Sequence, residues 1–316
     1  MVVLYILHHM AQYTTPSTEE LSDIVSYYTI GTPLTCEPLS GGFGNSNFKL
    51  TTTDGTYLLK ICDEKSFEEL QIQDTLLEHL REHAYPTVYP TIKKNGDVLH
   101  ITSKYYVMIF PFLAGSPPEP SPQVLSQIGE ALAKLHRISP LDVLPSFPMG
   151  MAQIKPFLDD VHTTEFAAHP FVIWLQSELE WIVSELDKPL PTGLLHGDLF
   201  LDNTLFDRDQ MVAILDFEEG CHDTFLIDVG MTIIGCCYSE EHQLKLESLH
   251  SFLDAYNMLR PLTDIEWDSL DCYVYYAAIA IAFWRFRQFN IRYPHTNRGE
   301  SYQEMMVRAT NWQSIN

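Results

Sequence analysis

The segment His196-Gly197-Asp198-Leu199-Phe200-Leu201-Asp202-Asn203 sets a carboxylate two residues after a histidine and an asparagine five residues after that carboxylate. A further pair, Asp216-Phe217, follows the apolar run at 211–215. Phosphoryl transfer asks for such a set. One carboxylate orients the acceptor hydroxyl, and an Asn and a second Asp hold Mg²⁺ on the nucleotide phosphates. Asp198 is therefore the candidate catalytic residue, with Asn203 and Asp216 the candidate metal ligands. Histidine, aspartate and asparagine in a loop are more often turn and capping residues. The complete spacing, with Asp216 in place behind an apolar run, favours the catalytic reading.

Other elements must position these groups and bring a nucleotide to them. Residues 40–47, Ser-Gly-Gly-Phe-Gly-Asn-Ser-Asn, lie between two expected strands. Glycines there let the backbone bend over a nucleotide and turn N–H groups toward phosphate oxygens. Gly41, Gly42, Gly44, Asn45 and Ser46 are the candidate contacts. Such a turn alone is a weak signal; it gains weight from Lys60, at the end of Tyr57-Leu58-Leu59, a cation placed to reach phosphates. The plainer reading of Lys60 is a solvated strand end. Asp54-Gly55 and Lys94-Asn95-Gly96-Asp97 read as hairpin turns, and residues 106–110 as a buried strand. Residues 67–82 read as a helix whose apolar face is Leu70, Leu76, Leu77 and Leu80. Phe110 and Phe112 are expected at a connector that sandwiches adenine. Pro111, Gly115 and residues 116–120 break regular structure, after which Ser121 caps a helix with Pro122 at its first position. Ser17-x-x-Glu20 and Thr263-x-x-Glu266 are capping boxes, the second opening a long helix toward Arg287. ATP and Mg²⁺ are the expected cofactors.

The H-x-D-x-x-x-x-N spacing is that of protein kinases, with Gly197 in place of Arg and Glu218 in place of the last glycine of D-F-G. Written as H-G-D, it resembles the aminoglycoside phosphotransferase and choline kinase superfamily. The resemblance covers most of the chain: N-S-N-F at 45–48, D-L-F-L-D-N at 198–203, L-D-F at 215–217 with Asp223, and L-R-P-L-T at 259–263 followed by F-W-R-F at 283–286. Together these look most like the homoserine kinases of that superfamily, which act in threonine biosynthesis. The resemblance implies an α+β, two-lobed protein-kinase-like fold, with a small β-rich N-lobe at 10–112 and a larger, mainly helical C-lobe at 113–316; Met10 gives a more ordinary start, so 1–9 reads as an N-terminal extension. It also implies that Asp228 opens a helix and braces the catalytic loop. The helix after Lys60 departs from the pattern. Gln71, Gln73 and Asp74 stand where the superfamily has its glutamate, which leaves Glu68, Glu69 and Glu78 as candidate partners for the lysine.

The acceptor is less sharply written. Five of the nine arginines fall after residue 284, where only Glu300 and Glu304 oppose them. A guanidinium fork suits a carboxylate, which leans toward an amino acid acceptor and makes Arg285 and Arg287 its candidate clamps. The substrate ammonium would face Asp202, Glu218, Glu219 or Asp223. A choline site would want an aromatic cage, and Tyr273, Tyr275, Tyr276, Phe283 and Trp284 could build one, although aromatics at that spacing are more often core. Aminoglycoside, choline or other amino-alcohol kinases remain alternatives. From another class comes a non-catalytic nucleotide-binding module, against which Lys60, Asp198, Asn203 and Asp216 all weigh.

Charge narrows the partners. With 42 acidic and 19 basic residues the net charge is −23, which disfavours nucleic acid and anionic membrane as partners. It is compatible with a cationic or zwitterionic small molecule. Six cysteines without metal-ligand spacing read as reduced thiols of a cytoplasmic protein. The apolar start at 1–7 is too short for a span and lacks the marks of a signal peptide, and no transmembrane segment is expected.

Overall fold

Alternating apolar residues between positions 45 and 62 form the hairpin that anchors the first part of the chain. In the computed structural model, which describes residues 14–39 and 45–315, the chain divides into two units, Met1–Ala114 and Gly115–Asn316. Gly41, Gly42, Gly44 and the extension expected at 1–9 lie outside the described residues.

The first unit runs α1 (Thr18–Ser26), β1 (Pro33–Pro38), β2 (Asn45–Thr52), β3 (Thr56–Cys62), α2 (Phe67–Glu82), β4 (His100–Ile101) and β5 (Tyr106–Pro111). Its sheet is antiparallel, in the order β1-β2-β3-β5-β4. Asn47 pairs with Lys60 and Phe48 with Leu59, and the β2–β3 turn is closed by the Thr52 N–H donating to Gly55 O at 2.8 Å. One sheet face buries Phe48, Leu50, Leu59, Ile61, Val107 and Ile109 with Leu21, Ile24 and Val25 of α1. Each such side chain contributes roughly 1.5–3 kcal/mol. Both helices start on capping boxes, Ser17 with Glu20 and Ser66 with Glu69.

The hairpin expected at 94–97 is a correction. The turn forms, with Gly96 N–H donating to Lys93 O at 3.0 Å, but its flanks do not pair as strands. Lys93 instead bridges Tyr28, and Thr91 N–H is taken by Ile109 O. Pro86 and Pro90 leave the preceding segment short of ladder donors. The hairpin lies one turn later, between β4 and β5, where Thr102 N–H meets Tyr105 O at 3.0 Å.

The second unit holds α3 (Pro122–Leu135), α4 (Met151–Val161), α5 (Pro170–Leu186), β6 (Thr192–Leu195), β7 (Thr204–Asp207), β8 (Gln210–Ile214), β9 (Cys221–Thr224), α6 (Leu226–Cys236), α7 (Leu246–Leu259), α8 (Asp264–Phe286) and α9 (Tyr302–Ile315). Ser121 caps α3 with Pro122 at its first position, and Thr263 and Glu266 form the capping box of α8. From residue 272 to 283 helix α8 is buried on every side, packed against α5, α6 and α9, which is why that stretch of its sequence has no polar face. Tyr273, Tyr275, Tyr276 and Phe283 are core residues there, and Cys236 and Cys237 are buried thiols. A small antiparallel sheet in the first unit and mainly helices in the second make the α+β class. Among the described residues no helix is long and apolar enough to cross a membrane.

Candidate active site

Strand β6 delivers the chain to His196, and from there the backbone has no strand partner. Asp228, in the first turn of α6 and wholly buried, supplies the missing acceptors. Its carboxylate accepts from His196 N (2.6 Å), Gly197 N (2.8 Å) and His136 Nε2 (3.1 Å). The positive end of the α6 dipole favours an anion there. Burial pushes the His136 imidazole below its ordinary pKa, although Asp228 draws it up. The neutral ring can thus donate through Nε2 to Asp228 and accept at Nδ1 from Tyr256 Oη (2.7 Å). His196 is likewise held neutral by burial. Its Nε2 donates to Leu215 O (2.8 Å) and its Nδ1 accepts from Asp198 N (3.2 Å), so this histidine ties the loop to the strand end that precedes Asp216. Gly197 adopts φ +82°, and a Cβ there would lie 2.3 Å from Glu219 O. That contact explains a glycine between the histidine and the aspartate.

Asp198, Asn203 and Asp216 come together through one turn and one hairpin. The 3₁₀ turn Leu201–Asn203 brings Asn203 back onto Asp198, where its Nδ2 donates to the backbone O (2.8 Å) and to Oδ2 (3.3 Å). The β7–β8 register, Thr204 with Ile214, folds the intervening residues away and lets Leu215 N–H donate to Asn203 O at 2.8 Å. Asp216 follows at φ 62°, ψ 63°, a left-handed conformation that costs an L-residue about 1–2 kcal/mol. Phe217, buried against the His196 ring at 4.6 Å between centroids, anchors the far side of that bend. The bend leaves Asp216 exposed, as is Asp202, while Glu218 and Glu219 are half-buried.

Carboxylates dominate the electrostatics of the loop. Burial raises the Asp198 carboxyl well above the usual carboxylate range, and Asp216, Asp202 and Glu219 push the same way against the Asn203 amide. Among the described residues no group of three or more His, Cys, Asp or Glu could hold a metal ion. Asn203 and Asp216 offer two oxygens from different residue types. That donor set fits Mg²⁺, which takes most of its ligands from phosphates and water.

Three expected acceptor contacts have other partners. Asp223, on β9 opposite Gly193, accepts from Phe147 N (3.0 Å) and Thr224 N (2.8 Å), so both its oxygens bind backbone. Arg285 donates to Glu304 and to Ser301 O (3.1 Å), and the exposed Arg287 donates to Gln153 on α4. Nothing in local spacing marks the His136–Tyr256 contact, whereas Glu304 and Arg308 stand four apart on α9, the spacing of a helical ion pair.

In the first unit Lys60 is buried on β3 between Asn47 and Met108. Phe110 is buried, and Phe112 is exposed with the Lys49 ammonium 5.3 Å from its ring centroid. Asn45 is buried at the start of β2. Beside it the Ser46 hydroxyl donates to Asp63 (2.6 Å) and accepts from Thr14 N (2.9 Å), which ties the residues before α1 to this strand. Of the candidate partners for Lys60, Glu69 caps its own helix and Glu78 pairs with Arg81. The buried polar residue of α2 is Gln73.

Residues 35–264 match the model of the phosphotransferase enzyme family. A homoserine kinase of Methylobacillus flagellatus is 30% identical over 302 residues, covering 90% of this chain and 89% of the relative. Among solved structures, amicoumacin kinase hAmiN in complex with AMP-PNP and Ca²⁺ covers 94% of both chains, with a TM-score of 0.72 and 15% identity. A microcompartment-associated aminopropanol kinase covers 92% of this chain and 94% of its own, with a TM-score of 0.70 and 18% identity. These two are similar to this chain in fold.

Proposed function

The chain belongs to the phosphotransferase enzyme family, and we propose that it transfers the γ-phosphoryl group of ATP to the hydroxyl of L-homoserine, giving O-phospho-L-homoserine and ADP. The observation that carries this reading is the trio Asp198, Asn203 and Asp216 gathered by one turn and one hairpin. The kinship with homoserine kinases names the acceptor. Asp198 accepts a hydrogen bond from the acceptor hydroxyl and takes its proton as the oxygen attacks the γ-phosphorus and the bond to the bridging oxygen breaks. Asn203, through Oδ1, and Asp216 would hold Mg²⁺, whose charge, when bound, offsets that of the transferring phosphoryl group. Positioning and charge supply most of the rate. Lys60, Gly41, Gly42, Gly44, Asn45 and Ser46 are the proposed contacts to the nucleotide phosphates, and Phe110 and Phe112 those to the adenine. Asp202 and Glu218, with Glu219, are the candidate acids for a substrate ammonium.

A second reading, an amino-alcohol kinase, draws on the acids that crowd Asp198. They suit a cationic acceptor with no carboxylate. ADP release measured with L-homoserine, 3-aminopropanol, choline and an aminoglycoside separates the two, homoserine being expected to lead. Turnover confined to amino alcohols would replace homoserine, and ATP consumption with none of them would leave only a nucleotide-binding module.

Lys60→Ala is expected to raise KM for ATP and lower kcat, each by about tenfold or more, as loss of a charge-assisted contact to phosphate would. KM for the acceptor should stay nearly constant in the same steady-state assay. A defect seen only on the acceptor side would remove Lys60 from the nucleotide.

A further inference from the structure

A cavity of about 240 Å³ lies in the second unit, between the start of α4, the end of α5, strand β9 and helices α6 and α8. It is smaller than the roughly 300–1,000 Å³ of a drug-sized pocket and has room for a small metabolite. Its wall carries charge of both signs. Lys155 stands on α4, Asp187 follows the last turn of α5, and Asp223 comes from β9. Lys155 and Asp187 are exposed, and neither makes an ion pair among the described residues. The positive end of the α4 dipole and the negative end of the α5 dipole meet at this wall. Each helix end and the charged side chain beside it favour the same counter-charge, an anion at α4 and a cation at α5.

The polar groups of the wall are fixed in place and incompletely used. Gly150 caps α4 without a side-chain bond, the Gln153 and Ile154 N–H groups share Gly150 O (3.0 and 3.1 Å), and Ala152 N–H has no acceptor among the described residues. Met151 N–H donates to Tyr276 Oη (2.9 Å), an approach open because residue 150 is a glycine: a Cβ there would lie 2.4 Å from that oxygen. Tyr276 keeps its own proton to donate. The Tyr273 hydroxyl has no hydrogen-bond partner among the described residues, although the residue is only 3% exposed. Burial first, then Cys272, Asp223 and Asp187, push that hydroxyl up, so it stays a donor. Asp223 is gripped through both oxygens by the Phe147 and Thr224 amides and cannot swing away.

We propose that this cavity is a second ligand site, taking the zwitterion of a small apolar α-amino acid as an effector and not as the phosphoryl acceptor. Its carboxylate lies against Ala152 N–H and Lys155, its ammonium against Asp187 and Asp223, and Phe147, Val183 and Leu186 are left for its side chain. The site stands apart from the chemistry. Gly193 pairs with Asp223 and Leu195 with Cys221, so Asp223 lies about 10 Å of strand behind His196. The wall formed by Thr224 and Ile227 runs directly into Asp228, which holds the His196 and Gly197 amides. An occupant therefore bears on the support of the catalytic loop, whichever hydroxyl that loop serves.

The test is isothermal titration calorimetry on the full chain with glycine, L-alanine, L-valine, L-leucine and L-methionine, none of which has a hydroxyl to phosphorylate. Each is run beside its carboxamide and its N-acetyl derivative, which remove one charge of the zwitterion at a time. At least one free amino acid is expected to bind and its two derivatives to fail. Lys155→Gln and Asp187→Asn, both at exposed positions, should each weaken that binding about three- to tenfold, as loss of a charged contact at the rim would. Their turnover without the amino acid should stay near wild type. No binding by any of the five at millimolar concentration, equal binding of a carboxamide or N-acetyl form, or an affinity that neither substitution moves would overturn the inference. Failure to phosphorylate homoserine would overturn the functional reading alone, since the titration contains neither acceptor nor nucleotide.

Discussion

Asp198→Asn is expected to lower kcat by about 10²–10⁴-fold, the range of a lost general base, and to leave the protein at least as stable as before. The amide keeps an acceptor oxygen for Asn203 Nδ2, and the Asp198 backbone N–H still reaches His196 Nδ1, so the loop loses no support. It does lose a charge. In the wild type that charge is unfavourable, because burial and the neighbouring Asp216, Asp202 and Glu219 all raise the Asp198 carboxyl. A carboxyl whose pKa is raised by folding destabilises the fold at pH values above its unfolded pKa, where it must ionise. Removing it should therefore hold Tm steady or lift it near neutral pH. Catalysis and stability pull apart at this residue, as they do where an active site keeps charges that folding alone would discard. Steady-state kinetics and thermal unfolding together check the pair of expectations. Near wild-type kcat would remove Asp198 from its role, and a clear drop in Tm would recast it as a structural support.

What the sequence made legible follows the distance over which the structure acts. The trio of Asp198, Asn203 and Asp216 could be read because a short turn and a short hairpin set its spacing, and both are local. The capping boxes at Ser17–Glu20 and Thr263–Glu266 were legible for the same reason. The turn at Lys94–Asp97 was misread as a strand hairpin, since a Gly-containing turn looks alike whether or not its flanks find each other. His136 and Tyr256 stand 120 residues apart, and no period in the chain announces that they meet. The excess of arginine after residue 284 was visible, but a one-dimensional count could not tell that Arg285 and Arg308 both turn to Glu304. Asp223 misled in the opposite way. Its position near the catalytic loop in sequence suggested a substrate contact, yet strand β9 carries it to the opposite end of the β6 pairing.

Asp228→Ala should be the most disruptive single change outside the catalytic trio. The deletion leaves His196 N–H, Gly197 N–H and His136 Nε2–H buried without an acceptor. Each such group costs about 1–3 kcal/mol when unpaired. Even with relaxation the loss should reach about 3–5 kcal/mol, a large share of the roughly 5–15 kcal/mol that holds a typical domain folded. Urea unfolding followed by far-UV circular dichroism should show a lower midpoint, and kcat should fall with it, because the two loop amides fix the backbone that carries Asp198. Asp228→Asn separates the two effects. Its single carbonyl oxygen can satisfy one of the loop amides, while its NH₂ group faces the other donor. Stability should return in part, but the loop should stay misaligned and kcat low. If Asp228→Asn matched wild type in both midpoint and kcat, a neutral acceptor would suffice, and the buried charge at the head of α6 would have no part in shaping the loop. The opposite result, recovery of the midpoint without recovery of kcat, would locate the function of that charge in the angle at which β6 hands His196-Gly197-Asp198 to the substrate.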